Sequence, residues 1–167
     1  RWLMRRALAD WPISFATKPN ESGHPRVTFM IPHRGKEREP LLRLTLASIL
    51  GQRGVAVECI VVEQSATRDI GPLPAGVRYI HLPHPTDPHP WRKSWAYNVG
   101  ASAARADILV CHDGDILVPE GYAAEICRRF DSSDLEVAHL QRLLFYLGPE
   151  ATRTLGSNIQ ISQVTPS

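Results

Sequence analysis

"ADILVCHDGDILVPEGY", Ala106 to Tyr122, begins as a buried strand and breaks off in the middle. Ile108 to His112 reads as a short core strand. Asp113, Gly114 and Asp115 then put two carboxylates where the strand ends, apolar residues resume, and Pro119 suits a first helical position. Two like charges this close repel unless water or a cation lies between them. Asp-Gly is also a favoured turn pair. The tripeptide therefore reads two ways, as a solvated turn or as oxygen ligands for a hard divalent cation. Such a cation takes one or two carboxylates together with substrate phosphates.

Working outward, the flanking segments alternate in type. Val27–Pro32, "VTFMIP", Val55–Val62, "VAVECIVV", and Val77–Leu82, "VRYIHL", read as strands. Leu42, Leu46, Ile49 and Leu50 recur at helical spacing between Pro40 and Gly51. Trp91–Arg105 reads as a second helix with Trp95, Val99 and Ala103 on its buried stripe, and small Gly100, Ala101 and Ala104 for close packing. A third helix opens at Pro119, with Tyr122, Ala123, Ile126 and Phe130 inward. Leu135–Leu140 is predicted as a strand and Pro149–Leu155 as a short helix. Pro83–Pro90, "PHPTDPHP", holds four prolines in eight residues and excludes helix and central strand. Strands that are continuous apolar runs are covered on both faces, as in a mostly parallel sheet. The predicted fold class is α/β, a three-layer α/β/α domain over 27–167, with 1–26 as an N-terminal arm and linker. Ligands of such sheets bind beyond the carboxyl ends of the strands. His33 and Arg34, Glu63 and Gln64, and Asp113 and Asp115 each follow a predicted strand.

Composition narrows the class. A net charge of +2 argues against a dedicated nucleic-acid binder, which carries a basic stripe. No apolar run approaches the ~18 residues of a membrane span, and no signal-peptide stretch is present, so the expected location is the cytoplasm. Arg1–Trp11, "RWLMRRALADW", is basic and amphipathic, which makes it a candidate peripheral membrane contact or an arm packed on the domain. Cys59 and Cys111 lie in apolar runs and are expected to be buried thiols. His81, His84 and His89 around the proline loop match no structural zinc spacing. Neither GxGxxG nor GxxxxGK[ST] occurs.

The blocks "VTFMIPHRG", "ECIVVEQS" and "WRKSWAYNVGASAARADILVCHDGDILVP", in this order, resemble glycosyltransferase family 2, the GT-A nucleotide-diphospho-sugar transferases. K-x-x-A-x-N-x-G one helix before D-x-D, and a second strand ending in Glu-Gln, resemble the galactosyltransferase and chondroitin-polymerase branch. The resemblance covers about Val27 to Phe130 and implies a UDP-sugar donor, Mn²⁺ or Mg²⁺, and a glycan, lipid or protein acceptor. It implies donor contacts at Pro32, His33, Arg34, Glu63, Lys93, Asn98 and Asp113. Asp115 would ligate the metal directly and Asp113 indirectly. The family's catalytic base lies in a W-x-x-E-D type segment after D-x-D, and none occurs before Ser167. A third, C-terminal metal ligand is likewise not found. The chain is therefore expected to be the donor half of a transferase, C-terminally incomplete, or else a non-catalytic nucleotide-sugar-binding or assembly module.

Overall fold

The computed structural model describes residues 10, 12–83, 91–139 and 146–161. The arm before Pro12 (Asp10 apart), the proline loop beyond Pro83 and the final "QVTPS" lie outside the described residues. The elements are β1 (Val27–His33), a 3₁₀ turn (Lys36–Arg38), α1 (Glu39–Leu50), β2 (Val57–Ser65), β3 (Val77–Pro83), α2 (Lys93–Ala103), β4 (Ile108–Cys111), α3 (Tyr122–Asp131) and α4 (Pro149–Ile161). The four strands form one parallel sheet in the order β3-β2-β1-β4. The chain builds outward from β1 to β3, then returns to the other side of β1 for β4. Strand order thus reverses between β1 and β4, where ligands of open α/β sheets bind. This is the predicted Rossmann-like α/β architecture of the GT-A type.

Side-chain alternation sorts the core into two layers. Phe29, Ile31, Cys59 and Val61 face α1 and α3, packing with Leu42, Leu46, Ile49, Ala123 and Cys127. Ile60 and Val62 face α2 and pack with Ala96, Val99 and Ala103. At Gly100 the helix comes so close that an added Cβ would lie 3.2 Å from the Met30 side chain. Gly51 is required for a similar reason, because a Cβ there would meet the Ser14 carbonyl oxygen at 2.0 Å. The predicted linker in fact packs on the domain. Ala16 N–H donates to the Ala47 carbonyl, Asn20 N–H to Leu50, and Glu120 N–H to Pro12.

A buried ion cluster closes the amino end of the sheet. Glu58 of β2 is 1% exposed at its side chain. It accepts from Arg78 Nη1 at 2.8 Å, Arg105 Nε at 2.7 Å, Arg105 N–H at 2.9 Å and Thr28 Oγ1 at 2.8 Å. Burial alone would push its pKa up, but these bonds outweigh it and hold the carboxyl at about 2. The Thr28 hydroxyl also accepts from Ala106 N–H at 3.3 Å. The cluster therefore joins β1, β2, β3 and the residues that lead into β4.

Several expectations are corrected. Leu135 to His139 form no strand and are exposed, since among the described residues no ladder partner lies beside them to complete their backbone bonds. Trp95 is 58% exposed. Small Ala96 and Gly100 bring α2 onto the sheet, which leaves the indole one helical step outside the contact. Cys111 is exposed because β4 is an edge strand, and it shares its uncovered face with Leu109. β2 runs on through Glu63–Ser65 because His81–Pro83 continue the ladder beside them. α3 starts at Tyr122, with Pro119 in the turn before it, and α4 extends to Ile161.

Candidate functional site

The strand break in the quoted stretch has a backbone cause. Met30 pairs with Cys111, and His112 N–H donates to the Met30 carbonyl at 3.0 Å. The next rung of a parallel ladder would take an N–H from Pro32 to the His112 carbonyl. Proline has no N–H, so β4 leaves the sheet here. The His112 carbonyl accepts from Tyr97 Oη of α2 instead, at 3.3 Å. The His112 ring packs edge-on against Phe29, and its Nδ1 lies 2.7 Å from the Asp113 carbonyl oxygen.

The break delivers the two carboxylates to different cations at the switch point. Asp113 pairs with Lys93 in the first turn of α2. Asp115 pairs with Arg38 of the 3₁₀ turn after β1, at 2.8 Å. Lys93 Nζ lies 5.8 Å from the centroid of Tyr97, four residues on along the same helix face. Burial, then the charge of Asp113, raise the Tyr97 phenol pKa. The corner thus combines two carboxylates, two cations and a neutral phenol.

The other predicted residues fall in three groups. Pro32 is buried within β1, and Arg34 is half-buried in the loop after it. His33 is 3% exposed, and its Nε2 has no hydrogen-bond partner among the described residues. Burial holds its pKa below the ordinary value, against the pull of Glu63. Glu63 is fully buried and serves the protein interior. It accepts from Tyr79 Oη at 2.5 Å, Ser65 Oγ at 3.1 Å and Asp69 N–H at 2.9 Å, which ties the loop after β2 to β3. The guanidinium of Arg68, in that loop, stacks over Tyr79 at 4.3 Å. Asn98 is not brought to the corner. It is exposed, two residues past buried Ala96 and so about 200° round the helix from the sheet.

Arg38 and Tyr97 were given no role from sequence. Their signals are the basic loop "HRGKERE" after β1 and the i, i+4 spacing from Lys93. Among the described residues no group of three or more His, Cys, Asp and Glu is placed to hold a metal. Two carboxylates are still enough for a cation that substrate phosphates also ligate.

A family model for "Glycosyl transferase family 2" matches residues 28–158, most of the chain and all four strands of the sheet. The chain belongs to glycosyl transferase family 2. A comparison with curated proteins gave no match. Membership gives this transferase-family domain a nucleotide-sugar function in general, with a donor and an acceptor. The Asp113–Asp115 corner lies inside the matched region, as do His33, Glu63 and Lys93.

Proposed function

We propose that this chain binds a UDP-sugar at the β1–β4 switch point, with Mn²⁺ or Mg²⁺, and serves as the donor-binding domain of a hexosyl- or N-acetylhexosaminyl-transferase of the galactosyltransferase and chondroitin-polymerase-like branch. The observation that carries this reading is the matched set of opposite charges at one corner, Asp113 with Lys93 and Asp115 with Arg38.

Those pairs are suited to partner exchange. Lys93 and Asp113 are 45% and 34% exposed, and Arg38 and Asp115 are 52% and 40% exposed. Ion pairs this open contribute about 0–1 kcal/mol, so breaking them costs little. A diphosphate would draw Lys93 and Arg38 to its oxygens, and Arg suits bidentate contact. Asp115 and Asp113 would then be released to hold a divalent cation, which supplies electrostatic stabilisation of the leaving diphosphate. Pro32, His33 and Arg34 line the β1 side of the corner, and Glu63 acts from beneath by fixing the neighbouring loop. Asn98 is left out of this site.

A second reading, nucleotide-sugar binding without transfer, draws on where the later acidic residues lie. Asp131 pairs with Arg26 at the amino end of β1, away from the corner, and Glu136 and Glu150 are exposed. Incubation with UDP-sugars and acceptors separates the two readings, since only the first yields product.

The donor reading is tested by thermal unfolding with UDP. A ligand bound only by the folded state raises Tm. UDP with Mn²⁺ should raise Tm more than UDP with chelator, and Asp115→Asn should abolish that difference while leaving Tm without ligand within about 2 °C, since an open ion pair contributes little. Equal responses with and without metal in the wild type would refute the role of the carboxylate pair.

A further inference from the structure

We propose that Gln64 is a positioning residue for the donor corner, holding the first turn of α2 so that Lys93 stands at Asp113. The inference rests on the donor-site reading above and deepens it.

Gln64 is 5% exposed and follows Ile60 and Val62 on the α2 side of β2. Its Nε2 donates to the Arg92 carbonyl at 3.1 Å, and its Oε1 accepts the Arg92 N–H at 3.2 Å. One side-chain amide thus engages both peptide groups of a single residue. A carboxylate could only accept there, and an apolar side chain could do neither.

The contact falls where, among the described residues, the helix has little else to hold it. Arg92 is the N-cap of α2, with no side-chain cap hydrogen bond. The first N–H groups of a helix lack intrahelical partners, so an uncapped first turn frays. Residues 91–95 are all exposed, and Ala96 is the first buried side chain of the helix. Among the described residues, Gln64 is the buried side chain that anchors the turn carrying Lys93 on its N-terminal side. Arg92 immediately precedes Lys93, so fixing its peptide groups fixes the root of the lysine side chain. Gln64 does not pair with Asp113 or Asp115; it acts through Arg92 on Lys93, which pairs with Asp113.

The test is a double-mutant cycle read by calorimetry of UDP binding with Mn²⁺, using the wild type, Gln64→Met, Lys93→Ala and the double variant. Gln64→Met should weaken UDP about fivefold and Lys93→Ala about tenfold. In the Lys93→Ala background, Gln64→Met should change affinity by less than about twofold, because the lysine it positions is gone. A general loosening of the fold would weaken binding equally in both backgrounds and would overturn the proposal, as would unchanged affinity in Gln64→Met alone. Hydrogen exchange supplies a readout free of nucleotide. In Gln64→Met, and in Gln64→Glu, which keeps only the accepting half of the contact, the Ala96 and Tyr97 amides should exchange faster while β1 and β2 keep wild-type protection. Equal exchange along α2 would overturn the proposal. UDP binding that depends on Lys93 but not on Gln64 defeats this inference alone, whereas no UDP binding by the wild type defeats the donor reading and this inference with it.

Discussion

Glu58→Gln is the perturbation whose cost can be worked out most fully. Four donors converge on two carboxylate oxygens, with Arg78 Nη1 and Arg105 Nε on Oε1 and Thr28 Oγ1 and Arg105 N–H on Oε2. An amide accepts at one end only, so either orientation of the glutamine turns an NH₂ toward two donors. Thr28 Oγ1 already accepts from Ala106 N–H, and turning its hydroxyl to accept a second bond would cost the O–H the acceptor it has in Glu58. The carboxyl is held at about 2 against an ordinary 4.5, a difference that corresponds to about 3 kcal/mol at 1.36 kcal/mol per unit. Arg78 and Arg105 are 40% and 62% exposed, so solvent screening lowers the expected loss to about 2–3 kcal/mol. For a chain of this size that is a fall in Tm of roughly 5–10 °C at pH 7. The sign with pH follows from the lowered pKa. The contribution is complete above about 4.5 and disappears as pH falls toward 2, so the wild-type and variant melting curves should converge over that window. Glu58 and Gln64 are six residues apart on β2, about 20 Å at strand rise, so UDP affinity should stay within about twofold. A Tm loss under about 2 °C, or an offset that persists unchanged down to pH 2, would refute the argument.

His33 is buried with its pKa lowered, so its contribution to stability is complete above about pH 6.5 and declines as pH falls below that value; acid titration of Tm should show a decline between pH 7 and 5 that His33→Asn flattens. Gly100→Val should cost about 2 kcal/mol in denaturant unfolding, because the space its Cβ needs is already filled by Met30. Tyr97→Phe removes the hydroxyl that satisfies the His112 carbonyl and should cost about 1 kcal/mol, seen as a Tm fall of roughly 2–4 °C.

What was legible in the sequence is what a short window encodes. β1, β3, β4 and the first two helices follow from apolar runs and helical spacing, and Asp113 and Asp115 from their positions at a strand end, whereas Lys93 was marked only by the family resemblance. Less legible was anything decided by a neighbour distant in sequence. Glu63–Ser65 belong to β2 only because β3 extends beside them, and Leu135–His139 form no strand because no described strand extends beside them. Cys111 has strand character but no cover, a property of its place at the edge. Trp95 shows the limit of helical spacing. The pattern finds a helix, but which residues meet the sheet depends on Ala96 and Gly100 allowing close approach. Arg38 lies 77 residues from Asp115, and nothing local marks it as that carboxylate's partner.

The corner depends on β4 stopping where it does. Had residue 32 carried an N–H, the ladder could have run on through His112 and drawn Asp113 into line with the sheet, its backbone committed to β1. Proline releases the chain one residue before the first aspartate, while the Glu58 cluster holds the other end of β4 through Ala106 and Arg105. The strand is thus fixed at its amino end and free at its carboxyl end. Residues at the free end can trade partners at a cost of about 1 kcal/mol, because their ion pairs are open to water. Residues at the fixed end cannot, because their carboxylate is buried among four donors. This division places open ion pairs where the sheet opens and rigidity where it closes, and it explains why two carboxylates can interrupt a core strand without unsettling the core.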